Sequence, residues 1–222
     1  MTVLHLADEG EAADLAAFLS RLIHYDRSAA VRLQAAGTAL AVFGRPPSFE
    51  VLAVRAVRLA KPYENGLDVT LDVTVSAGEL LESVDESAAT ASVPGAVTGP
   101  PWAGVLPPRG GWRAESGLPA PDALRAAVGA AVAEFRSRTQ ELADERRTRA
   151  ELDRIGREIW SRTVGDTRLP VRAAHAAQSL GFLRAGVPAD LFSSGAWLRL
   201  RTPFGSVAVR RAGLGALDVS VR

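Results

Sequence analysis

Between Gly99 and Arg113 the chain reads Gly-Pro-Pro-Trp-Ala-Gly-Val-Leu-Pro-Pro-Arg-Gly-Gly-Trp-Arg, a stretch rich in residue types that suit recognition. Prolines bias the backbone toward extended or polyproline II geometry, so less entropy is lost when it is ordered. Trp102 and Trp112 each bring a large apolar surface with a single donor. Arg109 and Arg113 can stack on a ring or hold an anion. Such a segment serves as a recognition loop for a partner chain or an anionic ligand, or as a strap whose tryptophans dock on a sheet face. Gly110-Gly111 is no phosphate loop, because no Gly-Lys-Ser/Thr follows it and no strand-to-helix turn frames it.

A second cluster lies near the far end, where Arg199, Arg201, Arg210 and Arg211 flank Pro203-Phe204-Gly205. Helices ending near 162 and 183, followed by this arginine-bearing hairpin, sketch a winged helix, whose wing arginines would contact phosphates in a salt-dependent way. Against that outline, Val187 to Phe192 is short and apolar where a polar recognition helix should stand.

Groups for covalent or metal chemistry are sparse. The chain has no cysteine, which removes disulfides, thiolate nucleophiles and Cys-ligated metals. His5, His24 and His175 stand at no metal-binding spacing, and no Gly-x-Ser-x-Gly elbow is present. Asp68 and Asp72 share a strand face and could ligate Mg²⁺ or divide acid and base work. Outward carboxylates on a half-exposed strand are far commoner, and these two read as solvated surface. No cofactor and no metal is expected.

These residues need elements to position them. Asp8 caps a helix over 8–24 with Leu15, Phe18, Leu19 and Leu22 on one face. Val31–Ala35 and Thr38–Phe43 read as a hairpin, Phe49–Leu59 as a third strand, and Leu67–Val75 as a fourth with strict period-2 alternation. Ser76 and Glu79 stand at capping-box spacing before a short helix. Residues 86–121 carry seven prolines and read as a connection that admits neither a helix nor a central strand. Helical patterning resumes at Pro121 or Asp122. It continues either as one helix with a solvated middle or as two helices meeting near 146, with i,i+4 pairs Glu145–Arg149 and Arg147–Glu151. A helix over 169–183, a hairpin of 197–202 with 206–211, and a strand over 217–221 complete the pattern. The fold class is α+β: an antiparallel sheet with flanking helices over 1–85, a Pro/Gly/Trp-rich strap over 86–121, and a basic helical region with a C-terminal hairpin over 122–222.

Charge follows this division. Residues 1–145 carry 12 basic and 19 acidic side chains, whereas 146–222 carry 14 and 6, within a net charge of +1. Lys61 is the sole lysine among 26 basic residues, a bias that reads either as a preference for bidentate recognition of carboxylate or phosphate or, more simply, as the mark of GC-rich coding. The strap, Arg45-Pro46-Pro47 and the Arg/Ala-rich helices together resemble uncharacterised proteins of high-GC actinobacteria, a likeness that covers the chain loosely and implies no activity. With no signal-peptide pattern and no apolar run of the ~20 residues a membrane span requires, a cytoplasmic setting and no membrane partner are expected. The expected function is a non-enzymatic protein-binding or scaffold module, with a protein partner or self-association through Trp102, Arg109, Trp112, Arg113, Arg199, Arg201, Arg210 and Arg211. The alternatives are nucleic-acid binding through the basic rear part, or an enzyme site near the Trp102–Arg113 strap.

Overall fold

The computed structural model describes residues 2–60 and 71–211. Lys61, Asp68, the first half of the Leu67–Val75 strand and the strand expected over 217–221 fall outside these residues.

Eight antiparallel strands form the main sheet. In chain order they are β2 (Ala30–Ala36), β3 (Ala39–Gly44), β4 (Leu52–Arg58), β5 (Leu71–Ser76), β8 (Arg113–Glu115), β9 (Asp190–Ser194), β10 (Trp197–Thr202) and β11 (Gly205–Arg210). Their order in space is β5-β2-β3-β4-β11-β10-β9-β8. A separate three-stranded sheet holds β1 (Val3–His5), β7 (Thr90–Ser92) and β6 (Val84–Asp85), with β7 in the middle. The expected connection over 86–121 therefore begins later than the sequence suggests, because the first proline, Pro94, lies beyond β7 and leaves its amides free to pair.

The expected hairpin sheet and the expected C-terminal hairpin are the two halves of one sheet. They meet at a seam of three residue pairs, Val54 with Ser206, Ala53 with Val207 and Leu52 with Ala208. The strand β9 was not anticipated. Val187–Phe192 is apolar because Leu191 enters the core from a strand.

Strand alternation sends one set of side chains to the helices. Asp8 caps α1 (Glu9–Tyr25), its carboxylate accepting the Glu11 amide at 2.9 Å. Ala12, Leu15, Phe18, Leu19 and Leu22 are buried in one core with Leu33, Val42, Ala53 and Val57. Gly44 permits this approach, because a Cβ there would fall 2.4 Å from Leu22 Cδ1. The short helix α2 (Ala77–Glu82) is capped by Ser76, whose Oγ accepts the Glu79 amide. Over the other half lies α5 (Val171–Ser179), whose Ala173, Ala174, Ala176 and Ala177 are buried. These small side chains let it sit between the sheet and α3 (Pro121–Gln140).

Two helices, rather than one, occupy 121–160. α3 ends at Gln140, a 3₁₀ turn spans Asp144–Arg146, and α4 (Arg149–Trp160) starts anew on Thr148, whose Oγ1 accepts the Glu151 amide. The break places Glu145 and Arg147 off any common helix with Arg149 and Glu151. The anticipated i,i+4 pairs give way to Arg147–Asp144 and Arg149–Asp153. α3 and α4 are joined by a network in which Arg138 and Arg162 each bind both Glu134 and Glu158. No helix among the described residues is long and apolar enough to cross a membrane.

Candidate functional site

The helices cover one face of the sheet, and the proline-rich segment crosses the other. It leaves the β5 edge where the Val97 amide donates to Thr74 O at 2.9 Å and Ala96 bridges Val75. It then forms a 3₁₀ turn at Pro101–Gly104, fixed by the Arg32 guanidinium, which donates to the Ala103 carbonyl. At the opposite edge Ser194 Oγ donates to Gly110 O at 3.2 Å, and the chain joins the sheet as β8. Seven strand spacings come to about 34 Å, within the roughly 50 Å that sixteen extended residues can span. The segment is a strap across the whole sheet.

Beneath it the strap-facing side chains alternate with the core. Arg32 and Gln34 (β2), Ala41 and Phe43 (β3), Leu52, Val54 and Ala56 (β4), and Ser206 and Ala208 (β11) share one face, as the pairing register requires. Phe43, Leu52, Val54, Ala103 and Ala208 are buried there, apart from the main core. Between strap and sheet is a cleft of about 420 Å³, walled by Ala41, Phe43, Val54 and Ala56 on the sheet and by Pro107, Pro108 and Arg109 on the strap. Gln34, Asp72 and Arg199 contribute polar groups.

The charges in this cleft are unequal in availability. Arg32 grips Asp72 with both ends of its fork, Nε to Oδ1 at 2.7 Å and Nη2 to Oδ2 at 2.9 Å, while Gln34 donates to the same carboxylate at 3.2 Å. These bonds, with a smaller contribution from Arg109, hold the Asp72 carboxyl below its ordinary range. Asp72 is exposed, as the reading of solvated surface expects, and it is also the anchor of Arg32, which in turn holds the strap. Arg199 is different. It is half-buried, its Nε donates to Ser206 Oγ at 2.9 Å, and it lies over the Trp112 ring at 5.6 Å. Burial, and then repulsion from Arg201, pull its guanidinium below its ordinary value. Among the described residues no carboxylate lies within ion-pair distance of Arg199.

The sequence-selected residues separate into two groups. Arg109, Trp112, Arg199, Arg201 and Arg210 come together on the strap side of the sheet, because β8 pairs with β9 and alternation sets Trp197, Arg199, Arg201 and Arg210 on one face. Arg201 lies over Phe192 at 4.6 Å and pairs with Asp190 at 3.2 Å. The other three are elsewhere. Trp102 stands at the far end of the strap beside Asp26 and Arg45. Arg113 is in register with Ser193 and Leu198 and so points to the helix side. Arg211 donates to the Gly195 carbonyl and closes the β9–β10 turn. His175 is stacked on Trp160 at 4.9 Å and edge-on to Phe49 at 5.1 Å, within an aromatic cluster remote from the cleft.

Arg32, Gln34 and Phe43 were missed as site residues. The period-2 pattern of β2 and β3 places them on the face opposite the core, yet nothing in the sequence tells that a strap 60 residues on returns to cover that face.

Fold and site together define an α+β protein with one sheet face packed on helices and the other bridged by a proline-rich strap over a cationic cleft. Residues 1–104 match the family model described as a domain of unknown function (DUF8010), and residues 107–214 match a second domain of unknown function (DUF8185). No curated protein matches the chain.

Proposed function

We propose that the chain is a non-enzymatic, cytoplasmic binding module that meets an acidic protein surface through the basic face of β9–β11. One observation carries this reading. Trp197, Arg199, Arg201 and Arg210 lie on a single strand face, where Asp190 is the one acid paired to them among the described residues. A face with aromatic and arginine side chains and little compensating charge is the composition of an interaction hot spot. Arg138, Arg154 and Arg162 of the rear part contrast with it, since they are matched by Glu134, Glu151 and Glu158. Two points weigh against the alternatives. Where a winged-helix reading needs a polar recognition helix after Gly186, the chain instead forms the strand Asp190–Ser194. Asp72, the carboxylate lining the cleft, is held in its charged form and is poorly suited to general base work near neutral pH.

The test is capture from a native extract by wild type and by an Arg201→Glu/Arg210→Glu variant, each with and without nuclease, with Arg136→Glu/Arg149→Glu on α3 and α4 as control. A partner protein retained after nuclease, lost with the hairpin variant and kept with the control supports the proposal. Retention that nuclease abolishes and that falls steeply with salt would transfer the face to a nucleic acid. A partner held equally by all variants would end the reading.

A further inference from the structure

The cleft beneath the strap adjoins the basic face and shares Arg199 with it, but its apolar walls give it its own chemistry. We propose that it is a pocket for a small amphiphilic carboxylate, whose charged head pairs with Arg199 and Arg109 and whose apolar body rests on Phe43, Val54 and Pro107. The size fits: about 420 Å³ lies within the roughly 300–1,000 Å³ of small-molecule sites.

The charge balance selects an anion. Asp72 is one of the cleft's own lining groups, and its two oxygens are already taken by Arg32 and Gln34. Arg199 is left with a hydroxyl and a ring as neighbours. A guanidinium drawn out of water without a counter-charge is costly to hold, and an incoming carboxylate relieves that cost. Its planar fork matches a carboxylate in bidentate geometry. The walls select the rest of the molecule. Ala41, Phe43, Val54 and Ala56 offer no donor or acceptor side chain, so the ligand must turn apolar within a bond or two of its head. A sugar phosphate or nucleotide would leave hydroxyls unpaired against these walls.

The experiment titrates the full chain with octanoate, octan-1-ol and acetate by calorimetry, with tryptophan emission as a second readout, since Trp112 lies under Arg199. Octanoate should bind saturably and roughly tenfold to a hundredfold more tightly than octanol, the range expected of a charge-assisted hydrogen bond in a buried site. Acetate, which has the head without the body, should bind far more weakly than octanoate. In Arg199→Met octanol should still bind, which reports an intact pocket, while the preference for octanoate should collapse; Arg109→Gln should reduce it in part. The proposal is overturned if wild type binds octanol as well as octanoate, if acetate equals octanoate, if the preference survives in Arg199→Met, or if octanoate shows no saturable binding.

Discussion

Arg55 offers the sharpest test of how the two half-sheets are held together. It sits on β4 next to the three-pair seam, with its side chain 6% exposed. One Nη donates to Phe204 O at 2.7 Å, in the turn between β10 and β11, and the other reaches Glu11 and Asp14 of α1, each at 3.1 Å. One guanidinium thus ties the front helix, the front sheet and the rear hairpin. Removing one partner of a buried ion pair costs about 3–5 kcal/mol where the other is stranded. Here the stranding is incomplete. Glu11 keeps Arg58 at 2.8 Å, Asp14 is a third exposed, and the Arg55 Nε, buried without a partner, is itself a penalty that disappears. We therefore expect Arg55→Met to cost about 2–3 kcal/mol, a fall in melting temperature of roughly 4–12 °C for a chain of this size. Thermal and urea unfolding measure it, and a cycle with Glu11→Gln isolates the pair, for which coupling of about 0.5–3 kcal/mol is expected between groups in contact. If Arg55→Met melts at or above the wild-type temperature, the clamp is a net burden and the reasoning fails.

Gly44→Ala should destabilise by about 1–3 kcal/mol, because the added methyl meets Leu22 and α1 must shift; a wild-type melting curve would show that α1 is not tightly seated. Burial lowers the pKa of His175, so acid protonates the unfolded chain first. Its contribution to stability is complete above about pH 6.5 and is lost as pH falls toward the lower folded value, a slope that His175→Phe should flatten in urea titrations. The depressed Asp72 has its protective charge above about pH 4, and anchoring of the strap should weaken as acid titrates through its lower folded value. Asp72→Asn should free the strap at neutral pH, read as faster proteolysis between Val105 and Gly111; an unchanged rate would count against the Arg32–Asp72 anchor.

Much of the fold is legible in residue order, and the reasons are local. The Asp8 and Ser76 caps, the Leu15–Leu22 face, the 30–44 hairpin and the Trp197–Arg210 hairpin depend on spacing within one element. What was not legible depends on pairing between distant ones. Nothing in Leu52–Arg58 or Gly205–Arg210 states that they are neighbours. The role of Arg55 emerges only when Glu11 and Phe204 are brought against it. The site was legible in half. Arg109, Trp112, Arg199, Arg201 and Arg210 stand out by type, but strand parity, which sends Arg113 to the other face, is set by the β8–β9 register. The exposure of Asp72 was legible, but its pairing was not, because Arg32 is 40 residues away.

The two matched segments divide at residues 104–107, inside the strap, so that β1–β7 fall in the first and β8–β11 in the second, and the two adjoin in the sheet at β4 and β11. Beyond the three ladder pairs, the two halves share one hydrophobic core, in which Phe18 stacks on Phe182 at 5.6 Å. Linked by a covalent tether, the same contact is presented to itself at an effective concentration on the order of millimolar, so brief parting of the halves is followed by re-closure. Severing the peptide chain between Gly104 and Pro107 would convert that closure into a bimolecular event and leave two raw strand edges to find other partners.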